Sequence, residues 1–109
     1  MVTTVSTVAL MGLDGYEVTV ECNCENGIPE IAVIGLADVS VKESVDRIRS
    51  AAENNSLPFI KDRTTVNLAP ADRKKTGAYF DLPILLSILK HSPRLAFSET
   101  DDASFIGEL

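Results

Sequence analysis

Three consecutive cations, Arg73, Lys74 and Lys75, stand in a polar stretch running from Pro70 to Gly77. Between a strand and the N-terminus of a helix such a run could touch phosphate, because cationic side chains and free backbone N–H groups both attract anions. Two carboxylates, Asp72 beside the cations and Asp81 after the loop, raise the question of acid–base chemistry. Asp81 has the simpler role of capping the helix that follows. A phosphate cradle needs glycines ahead of a Lys and a Ser or Thr. Lys75-Thr76-Gly77 has these letters in the wrong order, so no P-loop ATP site is expected. The single histidine, His91, falls where a helix ends, and a cation there is favoured by the helix dipole. It reads as a surface residue rather than a member of a Ser-His-Asp triad. Cys22 and Cys24 sit two apart, on one face of a strand, and are poorly placed for a disulfide. A metal would want two further ligands, and His91 is far away in sequence, so both cysteines read as small buried hydrophobes.

Something must hold these groups in place, and 109 residues suit one domain. Hydrophobic residues make up 45%, enough for a core without disulfide or metal support. Sixteen acids against ten bases give a net charge of −6. That argues against a dedicated nucleic-acid-binding module, which shows a basic surface, while leaving room for one basic loop. No apolar run approaches the roughly 18 residues that span a bilayer. The opening residues alternate with Thr and Ser and lack a basic segment, so a strand rather than a signal peptide is expected, with no membrane partner and a cytoplasmic location.

The periodicity gives the elements. A strand over Thr3 to Met11 ends at Gly12-Leu13-Asp14-Gly15, a turn suited to an antiparallel hairpin. Tyr16, Val18, Val20, Cys22 and Cys24 then alternate with polar residues, as in a strand buried on one face. The unbroken apolar run Ile31 to Leu36 predicts a central strand covered on both faces. Ser40 and Glu43 form a capping box for a helix whose apolar stripe is Val41, Val45, Ile48 and Ala52. Arg63 to Ala69 alternates again. A second helix from Asp81, rich in Leu and Ile, is expected to be buried on more than one side, with Lys90 and His91 closing it. Phe105 to Leu109 reads as the start of a strand. The expected class is α+β, in the order β-β-β-α-β-α-β, broken off within the last strand.

The blocks Gly12-Leu13-Asp14-Gly15, Asn26-Gly27-Ile28-Pro29, Val33-Ile34-Gly35-Leu36-Ala37-Asp38 and Val41-Lys42-Glu43-Ser44 run in order along the chain. Arg47-Ile48-Arg49-Ser50-Ala51, Val66-Asn67-Leu68-Ala69-Pro70-Ala71-Asp72, the stretch from Lys74 to Pro83, and Phe105-Ile106-Gly107-Glu108-Leu109 follow. Together they resemble, over nearly the whole chain, the N-terminal domain of ComM/YifB-type magnesium-chelatase-like AAA+ proteins. The resemblance implies a fold like the Lon proteolytic domain and ribosomal-protein domain two, incomplete here, with an AAA+ module downstream. ATP and Mg would belong to that module, and no cofactor is expected in this chain. The family is linked to hexameric helicases that drive branch migration of DNA during transformation. Implied partners are the AAA+ module, neighbouring subunits, and single-stranded or branched DNA. Arg73, Lys74 and Lys75 then become candidates for a DNA contact or, equally, a subunit contact.

Lon proteases use a Ser-Lys dyad whose serine lies in a Gly-Pro-Ser-Ala-Gly turn. The matching stretch, Gly77-Ala78-Tyr79-Phe80-Asp81, puts Tyr79 in the serine slot. A phenol does not replace a compact alkoxide, and the lysine would lie beyond Leu109. The resemblance therefore implies a noncatalytic domain that assists ring assembly or DNA engagement. The rivals are a divergent hydrolase and an accessory domain of a metal chelatase.

Overall fold

The computed structural model describes residues 2–70, 73, 75–92 and 103–109. Its elements are β1 (Val2–Met11), β2 (Asp14–Glu25), β3 (Glu30–Ile34), α1 (Asp38–Asn54), β4 (Arg63–Ala69) and α2 (Asp81–Leu89). The chain is α+β, as expected. The strands form one sheet in the order β1-β2-β4-β3, antiparallel except for the parallel pair β3–β4, which α1 connects.

β1 and β2 form a hairpin whose register closes at Met11 opposite Asp14, so Gly12 and Leu13 alone make the turn. Gly12 has φ +62°. Glycine at the first central position meets the demand of a tight hairpin turn without steric cost. Alternation sends Val5, Thr7 and Ala9 of β1, Val18, Val20 and Cys22 of β2, and Thr64, Val66 and Leu68 of β4 to one face. That face packs against α2, whose Ile84, Leu85, Ile88 and Leu89 are buried, and against Ile48 and Ala52 of α1. Burying one such aliphatic side chain contributes roughly 1.5–3 kcal/mol, so this layer supplies the main driving force. α2 meets β1, β2 and α1, which explains why nearly its whole circumference is apolar.

Four expectations are corrected. The run Ile31 to Leu36 does not make a central strand: β3 lies at the sheet edge, and Ile34 is 48% exposed. An apolar run marks a strand but does not rank it within the sheet. α1 starts two residues before the proposed capping box, at Asp38, and its N-cap Ala37 has no side-chain bond. The backbone does the work instead, for the N–H groups of Ser40 and Val41 donate to the Ala37 carbonyl at 2.8 and 3.1 Å. Lys90 does not close the carbonyl end of α2 with its side chain; its Nζ donates to the Thr4 carbonyl on β1, at 2.7 Å. Finally, the segment from Phe105 to Leu109 forms no strand. Its Phe105 N–H donates to the Ser6 carbonyl of β1 at 2.9 Å, next to an isolated parallel bridge between Ser6 and Ser104, and the segment then crosses to the start of α2.

Candidate functional site

Several of the blocks quoted from the sequence meet in space where β3 and β4 end. Gly35, with φ +93°, carries the chain out of β3 so close to β4 that an added Cβ would stand 2.4 Å from the Leu68 carbonyl oxygen. The Lys75 N–H donates to the Gly35 carbonyl at 2.9 Å, and the Ala37 N–H donates to the Lys75 carbonyl at 2.8 Å. Lys75 is thus clamped to the turn that launches α1. Its side chain is 4% exposed, and Nζ donates to the carbonyls of Leu68, Pro70 and Arg73 at 2.9, 2.5 and 2.6 Å.

This divides the basic run. Lys75 is turned inward, and its ammonium organises the loop's own backbone rather than facing an external phosphate. Of the three candidates for a DNA or subunit contact, Lys75 is the one whose charge is engaged by the loop's own carbonyls. Arg73 is exposed, with its guanidinium 5.2 Å from the centroid of the Tyr16 ring. Lys74 and Asp72 lie outside the described residues.

Asp81 is fully buried at the start of α2. The sequence suggests an N-cap, but Asp81 is already inside the helix and Phe80 holds the cap position, with no side-chain bond. Its carboxylate instead joins three parts of the chain. Ser44 of α1 donates its hydroxyl to Oδ1. Arg47 grips both oxygens, Nε to Oδ2 at 2.7 Å and Nη2 to Oδ1 at 3.2 Å. The Leu109 N–H donates to Oδ2 at 3.2 Å. The hydrogen bonds that Arg47 donates to Asp81 hold its guanidinium above its ordinary range. Such a bidentate pair fixes orientation as well as charge. Ser44 and Arg47 were missed from sequence, although a hydroxyl inside the apolar stripe of α1 was a signal that a buried partner was needed.

Tyr79 is half-buried and stacks on Phe80, ring centroids 4.5 Å apart. Its ring covers Gly77, at φ +108°, where an added Cβ would lie 2.8 Å from Tyr79 Cε1. The Tyr79 carbonyl accepts from the Gly107 N–H at 3.0 Å, and the Gly107 carbonyl accepts from the Leu82 N–H at 3.0 Å. Tyr79 is therefore a packing aromatic over a glycine turn.

At the other end of β4, the structure brings together residues that the sequence keeps apart. Ligand atoms of Cys22, Cys24 and His91 all lie within 4.8 Å of one another. His91 is not a free surface cation: its Nε2 lies 2.9 Å from the Cys22 carbonyl oxygen. Burial, and then the neighbouring Cys24, push the Cys22 thiol up to about 12. Cys24 and His91 border a cleft of about 250 Å³ that includes Phe59, Asp62, Thr64 and Ile88. No spacing rule could reveal this group, because His91 arrives through the packing of α2 on β2.

No helix of the described residues is long and apolar enough to cross a membrane. Residues 20–109 match the family described as subunit ChlI of Mg-chelatase. The chain is 44% identical over 101 residues to the competence protein ComM of Haemophilus influenzae, covering 93% of this chain and 20% of that protein. It is 39% identical over 105 residues to the protein YifB of Salmonella typhimurium, covering 96% of this chain and 21% of that one. An uncharacterised protein of Mycobacterium tuberculosis is 34% identical over 104 residues, covering 94% and 20%. The chain thus spans about a fifth of the length of these relatives. With residues 20–109 matched by the family and relatives 34–44% identical over more than nine-tenths of its length, the chain belongs to the magnesium-chelatase-like ChlI family, as a domain of the ComM/YifB type.

Proposed function

We propose that this is a noncatalytic, Lon-like N-terminal domain of an AAA+ ATPase of the competence-related type, and that it assists assembly of the ATPase ring. The observation that carries this reading is the internal use of Lys75 and Asp81. Lys75 binds backbone carbonyls, and Asp81 joins α1, α2 and Leu109. Tyr79, in the position that resembles the Lon serine, packs on Phe80 and Gly77. Side chains so engaged maintain shape, and a rigid domain beside an ATPase can present a surface to its neighbours. ATP and Mg belong to the ATPase module, whose partners in turn are neighbouring subunits and DNA.

DNA engagement is the second reading, and exposed Arg73 is the observation that favours it. Fluorescence anisotropy with single-stranded DNA across a salt series separates the two. The assembly reading predicts weak binding whose salt slope is the same in Arg73→Ala. A slope reduced by about one in that variant would establish a phosphate contact and replace it. For the hydrolase alternative, peptide turnover lost in Tyr79→Phe or Thr76→Ala would be needed.

A further inference from the structure

We propose that Cys22, Cys24 and His91 form a binding site for a thiophilic d10 cation, zinc(II) in the first instance, with its fourth position open to the adjoining cleft. The site is independent of the assembly reading, since it lies at the Thr64 end of β4 and the clasp lies beyond Ala69.

Three features carry it. The first is convergence. Cys22 and Cys24 share the inward face of β2, and α2 delivers a third ligand, so two sulfurs and a ring nitrogen fall within 4.8 Å of one another. Tetrahedral zinc, with Zn–S near 2.3 Å and Zn–N near 2.0 Å, needs separations of about 3.5–3.8 Å. Side-chain torsions of Cys24 and His91, both only half-buried, can close a gap of about an ångström. The second is orientation. A carbonyl can only accept, so His91 donates Nε2–H to Cys22 O at 2.9 Å, leaving Nδ1 as the basic nitrogen. Backbone carbonyls orient metal-bound histidines in this way. The third is access and charge. Cys24 and His91 both line the cleft, together with Asp62 and Thr64, so an ion can enter and water can fill its fourth position. Two thiolates neutralise a divalent ion, which suits a site whose deepest ligand, Cys22, has no solvent exposure. Binding releases two thiol protons to solvent and changes no oxidation state. Thiolate ligands also disfavour magnesium and calcium.

The test is a cobalt(II) titration of the reduced, chelator-stripped chain, read by absorbance, with zinc then added as competitor. The expected result is one ion per chain, with a thiolate-to-cobalt charge-transfer band, tetrahedral ligand-field bands, and displacement by zinc but not by excess magnesium. Cys24→Ser and His91→Ala, whose sites are partly exposed, should keep the native circular dichroism and each lower affinity at least about ten-fold. Cys22→Ser is less informative, as burial puts folding at risk, so the wild-type spectrum decides. Absence of the charge-transfer band in the wild type overturns the site. So does affinity unchanged in both variants.

Discussion

Arg47 and Asp81 are unequal partners in one ion pair, and the inequality sets what each substitution does. The Asp81 side chain has no solvent exposure, while that of Arg47 keeps 27%. Removing Arg47 strands a buried carboxylate; removing the charge of Asp81 leaves a guanidinium that can turn to water or to Glu43, 4.0 Å away. Arg47→Ala is therefore expected to cost roughly 2–3 kcal/mol, below the fully buried range because Arg47 reaches solvent. Asp81→Asn keeps the shape and should cost about 1–2 kcal/mol. Urea unfolding midpoints check the ranking, and a larger loss in Asp81→Asn would contradict it. Lys75 and Arg73, two residues apart, should differ as sharply. Lys75→Met deprives three carbonyls of a charged donor and is expected to lose roughly 2–4 kcal/mol. Arg73→Ala removes an exposed stack on Tyr16 and should lose no more than about 1 kcal/mol. Thermal denaturation of the two variants gives the comparison, and equal losses would show that Lys75 is not structurally anchored.

Among the elements, what the sequence revealed and what it hid follow from the range of the interaction. The strict alternation from Tyr16 to Cys24 reports one buried face, and the structure buries Val18, Val20 and Cys22 there. The apolar helix from Asp81 is likewise enclosed, because local composition records how much water an element can tolerate. Sheet order is not local. Ile31 to Leu36 looks central because it is apolar, yet pairing with β4 on one side leaves Ile34 at the edge. The capping box failed because a backbone clasp from Lys75, 38 residues after Ala37, fixes the start of α1. The Cys22, Cys24 and His91 group escaped for the same reason. Of the basic run, the sequence marked the right loop but could not say which cation turns inward. Gly35 is where the clasp is most exposed to test. A methyl at φ +93°, aimed at the Leu68 carbonyl, should cost roughly 1–3 kcal/mol or more in Gly35→Ala. Hydrogen exchange should show the Lys75 and Ala37 amides losing protection first; unchanged protection there would mean the clasp does not depend on Gly35.

At the scale of the whole molecule, one apolar layer joins a mixed sheet to two helices, with Lys75 and Asp81 buried in hydrogen-bonded clasps beside it. The net charge of −6 and the inward Lys75 leave a surface poorly suited to hold DNA by charge alone. The proposed architectural role beside an ATPase draws on this arrangement. The most direct test is the mass distribution of the full ATPase-bearing protein in ATP, with and without the region equivalent to residues 1–109. The account predicts that removing the domain depletes the ring species while basal ATP hydrolysis persists. Rings of unchanged mass and abundance after its removal would contradict it.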